Sequence, residues 1–264
     1  MQPIINIASR AVRQAGEFLQ QFLEKQEFNQ ESLSTTLEYI PRIEQQVHKT
    51  LLQNLTKTYH DHYIADLGET DLSSRPIAWS IQPVSNHLAF ARSLPGTLLT
   101  LTCLHNGKAE HTVIFDPITG DEYFASKGYG ASLNGKRVRV GGSHKFETSV
   151  ISANLFTSAR NIESHAAADL HKDLLKSSLA VIGSGSSQLD LLRVASGKLD
   201  CVIDLDTHID ELTPCLLFCR EAGALYADIE GKPVTQGAKT LIAANPKLFK
   251  AAVQKLYTYT GRLK

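Results

Sequence analysis

Hydrophobic positions in the first fifth of the chain recur at helical spacing. Apolar residues repeat every three or four positions over residues 4–23 and again over residues 41–59, which predicts two amphipathic helices. Residues 26–36 are polar and predict a loop between them. Proline is favoured in a first helical turn, so the second helix is expected to begin at Pro41.

Short apolar runs predict strands in the rest of the chain. Residues 77–81 indicate a buried strand that Pro83 stops, because proline has no N–H to donate. Residues 98–140 are strand-rich, with a hairpin turn at Asn106-Gly107. The later part alternates strands and helices: strands at 150–153 and 201–205 and a short buried strand at 179–182, with helices at 161–176, 188–196 and 246–257. The mixture predicts an α/β (α+β layered) fold.

Length and composition set broad limits on organisation. At 264 residues and 42% hydrophobic, the chain can form one domain, 1–264, made of two closely joined halves of approximately 1–145 and 146–264. Lys+Arg and Asp+Glu number 27 each, so net charge gives no argument for nucleic acid or an anionic membrane. No apolar run is long enough to span a membrane, and the N-terminus lacks the apolar core of a signal peptide.

The four cysteines are scattered in apolar surroundings: Cys103, Cys201, Cys215 and Cys219. Cys215 and Cys219 share a predicted helix, with Pro214 expected in its first turn, and no nearby histidine completes a zinc site. Buried, reduced thiols are the favoured interpretation, which fits a cytoplasmic protein.

A polar turn follows the strand at 77–81. Ser85, Asn86 and His87 suit a turn or a helix N-cap. A strand that leads through such a turn into a helix is a common place to hold a phosphate or a metal. A plain strand–turn connection is equally consistent with these residues.

The same segment resembles the signature of the inositol monophosphatase family, Trp-x-Ile-Asp-Pro-Leu-Asp-Gly-Thr-Thr-Asn-Phe. Its framework residues match without a gap: Trp79, Ile81, Pro83 and Phe90. Its chemical residues do not match. Gln82 and Ser85 stand at two metal-binding aspartates, Asn86 at the glycine, and His87 at the threonine that helps to activate water.

The resemblance extends from residue 4 to about residue 256, and residues 1–16 are similar to the SuhB branch of the family. Matching segments include Lys127–Lys136, Leu189-Asp190-Leu191, Glu221-Ala222-Gly223 and Asn245-Pro246. The resemblance implies an α-β-α-β-α sandwich and a homodimer. Asp190 belongs to one of these matching segments and is interpreted as structural and not as catalytic.

The resemblance also marks further metal positions. Glu44 falls where the family has an aspartate that reaches toward the metals, and Glu211 falls on a metal-binding aspartate. The family's Gly-Glu-Glu segment can be paired in two ways. An ungapped pairing puts Leu67 at the first glutamate, whereas a two-residue shift retains Glu69, so Asp66 and Glu69 are the candidate acids.

Substrate contacts implied by the resemblance are vestigial. Asp204 stands at a glutamate that bonds substrate hydroxyls, while Asn86, Gly185 and Ser186 fall beside the expected substrate position. A new acid–base pair between His87 and Asp66 is a minor alternative, since a lone histidine is more often simply packed or exposed.

Two hypotheses follow. In the first, the chain is a non-catalytic family member with no cofactor and an interaction role. As in the SuhB branch, its partners would be RNA polymerase or Nus factors in ribosomal RNA transcription antitermination. In the second, the chain is a weak Mg²⁺-dependent phosphatase acting on inositol 1-phosphate or a related sugar phosphate. Its weaker site would use the remaining acids: Glu44, Asp66, Glu69, Asp204 and Glu211. The two neutral metal positions, Gln82 and Ser85, favour the first.

Overall fold

The computed structural model describes residues 2–29, 32–155, 165–235 and 237–263. The chain divides into two compact units, Met1–Arg137 and Val138–Lys264. The single domain with joined halves, expected from the chain length, stays a prediction.

The first unit carries a sheet with two long helices and one short helix. The helices are α1 Pro3–Asn29, α2 Leu33–Thr56 and α3 His87–Ala91. The strands are β1 Tyr63–Ile64, β2 Ile77–Gln82, β3 Leu99–His105, β4 Lys108–Phe115, β5 Glu122–Ser126, β6 Gly130–Leu133 and β7 Lys136–Val138. They lie in sequence order across the sheet. β1 runs parallel to β2, and the pairs from β2 to β6 are antiparallel.

The loop predicted at residues 26–36 is wrong at both ends, because α1 continues to Asn29 and α2 begins at Leu33. Residues 30 and 31 of that loop lie outside the described residues. Ser32 caps α2 by accepting a hydrogen bond from the Thr35 N–H at 3.2 Å. Pro41 therefore lies inside α2 and not in its first turn. Proline in this place removes one internal hydrogen bond, and the buried face of α2 on both sides of it offsets that loss.

The hairpin predicted at Asn106-Gly107 is confirmed. Asn106 has φ 48° and Gly107 has φ 73°, the left-handed backbone that a tight two-residue turn requires. It joins β3 to β4, whose inner positions are buried.

The core of the first unit lies between the sheet and the two long helices. Gly16 lets α1 approach β4 closely, since a Cβ there would lie 2.4 Å from Cε1 of Phe115. Trp79 and Phe90, two matching signature residues, are at most 1% exposed. The signature's framework is therefore retained as core packing.

His62 is a titratable residue that contacts that core through Trp79. The Trp79 indole N–H donates to His62 Nδ1 at 3.0 Å, and the His62 ring stacks on Tyr59 with 4.5 Å between centroids. An indole can only donate, so Nδ1 must be unprotonated. Burial lowers the pKa of His62 from its ordinary value of 6.5, although Asp61 opposes this shift.

We expect stability to fall as the pH drops below about 6.5, because the unfolded chain then binds a proton that the folded His62 resists. Losing one such hydrogen bond costs about 1 kcal/mol, or about 2–4 °C in Tm for a chain of this size. Thermal melts at pH 7.5 and 5.5 test this, with fluorescence of the single Trp79 as the local signal.

The control for that experiment is His62→Gln, which keeps a polar side chain without the titration. Burial also lowers the pKa of His111, so some acid sensitivity remains in the variant. Equal pH dependence in wild type and His62→Gln would contradict the prediction.

The second unit carries a five-stranded sheet and four helices among its described residues. The helices are α4 His165–Ser177, α5 Ser187–Ala195, α6 Ile209–Glu221 and α7 Pro246–Tyr257, and Phe146–Thr148 forms a 3-10 turn. The strands are β8 Val150–Asn154, β9 Ala180–Ile182, β10 Cys201–Asp204, β11 Leu225–Ala227 and β12 Leu241–Ala244. Their order is β11-β12-β10-β8-β9, with β8 parallel to β9 and β10, and β12 antiparallel to its neighbours.

Two expectations for this unit need correction, and a third concerns a helix that lies partly outside the described residues. β9 was expected to be buried, but it lies at the sheet edge and Ile182 is 46% exposed. Pro214 lies in the second turn of α6, not in its first. Gln188 Nε2 donates to the Glu211 carbonyl at 2.7 Å, so a side chain of α5 contacts the first turn of α6. Residues 161–164 of the helix predicted over 161–176 lie outside the described residues.

The cysteine prediction is confirmed: all four are buried free thiols. Burial raises the pKa of Cys103 to about 12, so its thiol is the protonated, unreactive form at neutral pH. A membrane-spanning helix is absent from the part of the chain that the structure describes.

Candidate functional site

The end of β2 begins the candidate site. Gln82 is the last residue of β2, is half-buried, and pairs with Thr100 of β3. After Pro83 the chain turns, and Asn86 caps α3 by accepting from the Ala89 N–H at 3.0 Å. The strand, turn and helix start predicted from the sequence are all present.

Ser85 fastens this turn to the segment that precedes β3. Its N–H donates to the Leu98 carbonyl at 3.0 Å, and its Oγ accepts from the Leu98 N–H at 2.9 Å. The same hydroxyl donates to the Gly96 carbonyl at 3.4 Å. The Ser85 hydroxyl is therefore engaged as donor and as acceptor within the fold.

Glu44 and His87 meet across α2 and α3. His87 Nε2 lies 2.9 Å from Glu44 Oε1, and the side chains are 52% and 22% exposed. The sequence marked both residues separately, and the minor alternative paired His87 with Asp66. The structure gives His87 a different partner, Glu44.

Glu69 closes its own turn. Its carboxylate accepts from the Asp66 N–H at 3.1 Å and from the Tyr63 hydroxyl at 2.9 Å. The Glu69 N–H returns a hydrogen bond to the Asp66 carbonyl at 3.1 Å, and Gly68 between them has φ 81°. Leu67 and the Asp66 side chain are exposed. The sequence did not single out Tyr63 as a partner of Glu69.

In the second unit, Asp204 is a fully buried carboxylate at the end of β10. It accepts from the Ser187 hydroxyl and from the Asp206 N–H, the latter at 2.9 Å. Burial raises the pKa of Asp204, while these two hydrogen bonds act in the opposite direction. Ser187 was missed from the sequence, although it sits in the same Ser/Gly run as the expected substrate residues.

The Ser/Gly run shapes the start of α5. Gly185 has φ 74°, which suits glycine, and Ser186 caps α5 by accepting from the Leu189 N–H at 3.3 Å. Glu211 is exposed in the first turn of α6, and its backbone carbonyl accepts from Gln188 Nε2, next to this run, at 2.7 Å.

Asp190 is the hydrogen-bonding centre of the buried end of α5. It accepts from the Ser152 hydroxyl at 2.5 Å, from Asn154 Nδ2 at 3.5 Å, and from the Ser184 N–H at 3.4 Å. Arg193 donates to its other oxygen at 3.3 Å. These contacts support the structural role assigned to Asp190.

The candidate residues thus fall into two sets. The first unit holds Glu44, Asp66, Glu69, Gln82, Ser85, Asn86 and His87, and the second holds Gly185, Ser186, Asp204 and Glu211. Hydrogen bonds join Glu44 to His87 and Glu69 to Asp66. In neither unit do three His, Cys, Asp or Glu side chains of the described residues come close enough to hold a metal.

The chain belongs to the inositol monophosphatase family, whose model matches residues 1–260. Its relatives include the Nus factor SuhB of Pseudomonas aeruginosa, 27% identical over 258 residues, covering 95% of this chain and 94% of that protein. The Nus factor SuhB of Buchnera aphidicola subsp. Schizaphis graminum is 31% identical over 227 residues, with 85% and 84% covered. The expected resemblance to the SuhB branch is confirmed.

Solved structures show the same fold. The extragenic suppressor protein suhB of Bartonella henselae aligns with TM-score 0.79 and 21% identity, covering 97% of this chain and 99% of that one. Inositol monophosphatase II of Staphylococcus aureus aligns with TM-score 0.81 and 16% identity, covering 98% and 95%. The α/β fold of the inositol monophosphatase type is therefore confirmed.

Proposed function

We propose that this chain is a non-catalytic member of the SuhB branch that acts as an interaction module in the transcription machinery. The observation that carries the proposal is the Glu44–His87 pair. Glu44, which stands where the family has an aspartate that reaches toward the metals, is hydrogen-bonded to His87 of the signature segment.

The donors in this segment do not fit Mg²⁺. That ion needs hard oxygen ligands in near-octahedral geometry, and it gives up its water reluctantly. Gln82 and Ser85 offer neutral oxygens in place of carboxylates, and the Ser85 hydroxyl is hydrogen-bonded to the backbone at Gly96 and Leu98. Fewer negative charges make a weaker cation site, so Mg²⁺ has little to hold it here.

The alternative, a weak Mg²⁺-dependent phosphatase, would need the remaining acids to leave their present partners. Glu44 would have to leave His87, and Glu69 would have to leave Tyr63 and the Asp66 N–H. Each exchange gives up a hydrogen bond to a carboxylate that the fold already makes. These costs favour the non-catalytic hypothesis.

The partner class comes from the relatives, which are Nus factors by name. We infer that RNA polymerase or a Nus factor binds this chain and that its role lies in ribosomal RNA transcription antitermination. The chain is expected to act in the cytoplasm as a homodimer, with no cofactor.

Association is expected between the purified chain and RNA polymerase or NusA of the same organism. Because no metal chemistry is needed, binding should be unchanged between excess Mg²⁺ and excess EDTA. Biolayer interferometry with the immobilised chain measures the binding under both conditions, and bovine serum albumin serves as the unrelated control. No association with either partner would overturn the transcription role, whereas loss in EDTA would indicate a metal-dependent surface.

A further inference from the structure

The first unit contains a groove that the candidate site does not use. It has a volume of about 490 Å³, within the usual range for small-molecule sites, and lies between the start of α1 and the strands β5 and β6. We call it the Tyr129 groove. Ile5, Phe124, Ser126, Tyr129, Ser132 and Arg137 are among its lining residues.

The floor of the groove is apolar. Ile5 and Phe124 are 2% and 4% exposed, so their side chains are already packed in the core behind it. Ser126, at 5% exposed, adds a hydroxyl that lies 2.9 Å from His111 Nδ1. Such a floor favours a ligand that has a flat hydrocarbon ring with a polar group at one edge.

Tyr129 stands at the rim with its side chain presented to solvent. It is 71% exposed, in the turn between β5 and β6, and its N–H donates to the Ser126 carbonyl at 2.9 Å. The neighbouring glycines, Gly128 and Gly130, have φ 79° and 88°, conformations that other residues rarely adopt. The turn is therefore locally specified, and it holds an aromatic face open for stacking.

Arg137 supplies the charge. It is the only charged side chain among the described residues that line the groove. Its guanidinium faces Gly130, where a Cβ would lie 3.1 Å from Nη2 and 3.4 Å from both Cζ and Nε. The absent side chain of Gly130 thus leaves room for the planar guanidinium, and Gly130 and Tyr129 both line the groove with it. With no carboxylate in the lining, the groove favours an anion.

We propose that the Tyr129 groove binds a small molecule that carries a planar ring and one anionic group. The ring stacks on Tyr129 above the Ile5 and Phe124 floor, and the anion pairs with Arg137. The proposal does not depend on the transcription role, because none of the residues of the candidate site lines the groove.

Phenylphosphonate is the probe, since it combines a ring with an anion and contains no ester for a phosphatase to cleave. Calorimetry of the full chain in EDTA is expected to show saturable binding with a dissociation constant below about 1 mM. Inorganic phosphate and phenol, each carrying one half of the probe, should bind at least about tenfold more weakly.

Three variants test the location. Arg137→Gln should weaken binding about tenfold or more, and Tyr129→Ala about fivefold or more. The matched control is Lys136→Gln, which removes the same charge from the neighbouring exposed residue of β7 that does not line the groove. Its affinity should stay within about twofold of wild type. Thermal melts confirm that the three variants remain folded.

Several results would overturn the proposal. No saturable binding by wild type shows that the groove takes no such ligand. Equal losses of affinity in Arg137→Gln and Lys136→Gln show that the probe is attracted by the general positive charge of this surface and is not bound at a defined site. Binding that survives Tyr129→Ala and Arg137→Gln but disappears in His87→Asn shows that the probe binds beside the signature segment instead.

Discussion

Phosphate release from inositol 1-phosphate is expected to appear when Gln82→Asp, Ser85→Asp and His87→Thr are combined in the full chain. Wild type should stay at background under the same excess of Mg²⁺. The triple variant is expected to exceed wild type by at least about tenfold, because metal-bound water and charge neutralisation are worth several kcal/mol in phosphate chemistry.

The physical reason lies in three coordinated changes. Two substitutions return carboxylates to the end of β2 and to the turn after it. The third removes the partner of Glu44, which now lies 2.9 Å from His87, and frees that carboxylate as well. The Ser85→Asp change loses the hydroxyl donor to the Gly96 carbonyl, but its carboxylate can still act as an acceptor for the Leu98 N–H.

His87→Thr alone is the matched control. It frees Glu44 but leaves Gln82 and Ser85 neutral, so we expect no release above background. The same samples are assayed in EDTA, which should abolish any gain in the triple variant. A Mg²⁺-dependent increase in the Tm of the triple variant, absent in wild type, would report metal binding independently of turnover.

Wild-type turnover at an ordinary enzymatic rate, about 1–10³ s⁻¹, would contradict the non-catalytic proposal. The remaining acids would then hold metal despite their present hydrogen bonds. A folded triple variant with neither Mg²⁺ binding nor phosphate release would show that the neutral residues Gln82 and Ser85 do not account for a lack of phosphatase activity in wild type.

Much of the fold was predictable because its signals are local. The strand at β2, the Asn86 cap and the final helix after Asn245 depend on residues within a few positions of one another. The hairpin at Asn106-Gly107 depends on two adjacent residues with positive φ. Local steric and hydrogen-bonding rules are enough for such features.

The two proline errors have a common cause. Pro41 and Pro214 were each placed in a first helical turn, the position that proline favours, yet both lie inside their helices. Packing along the buried faces of α2 and α6 outweighs the local preference. The Ser32 cap was the signal that marked the true start of α2.

The site was predictable only as separate positions. Family resemblance marked Glu44 and His87, but their contact joins residues 43 positions apart and depends on how α2 meets α3. The Ser187–Asp204 hydrogen bond likewise joins a helix start to a strand end. Side-chain partners at such separations follow from tertiary packing, which spacing along the chain does not encode.

Asp190→Ala is expected to destabilise the chain by about 3–5 kcal/mol, the usual cost of breaking a buried charged pair. Asp190 is fully buried, and its removal leaves the Ser152 hydroxyl and the Ser184 N–H without their acceptor. It also leaves Arg193, only 31% exposed, without its carboxylate partner. Urea unfolding followed by circular dichroism measures the loss.

Asp169→Ala is the matched control, since it makes the same chemical change in the same unit. Asp169 pairs with Arg262 at 3.1 Å, but the two side chains are 57% and 55% exposed, so the expected cost is at most about 1 kcal/mol. Asp190→Asn should fall between the two, because its amide keeps one oxygen for the Ser152 hydroxyl. Equal losses in Asp190→Ala and Asp169→Ala would mean that the motif aspartate does not hold this unit together.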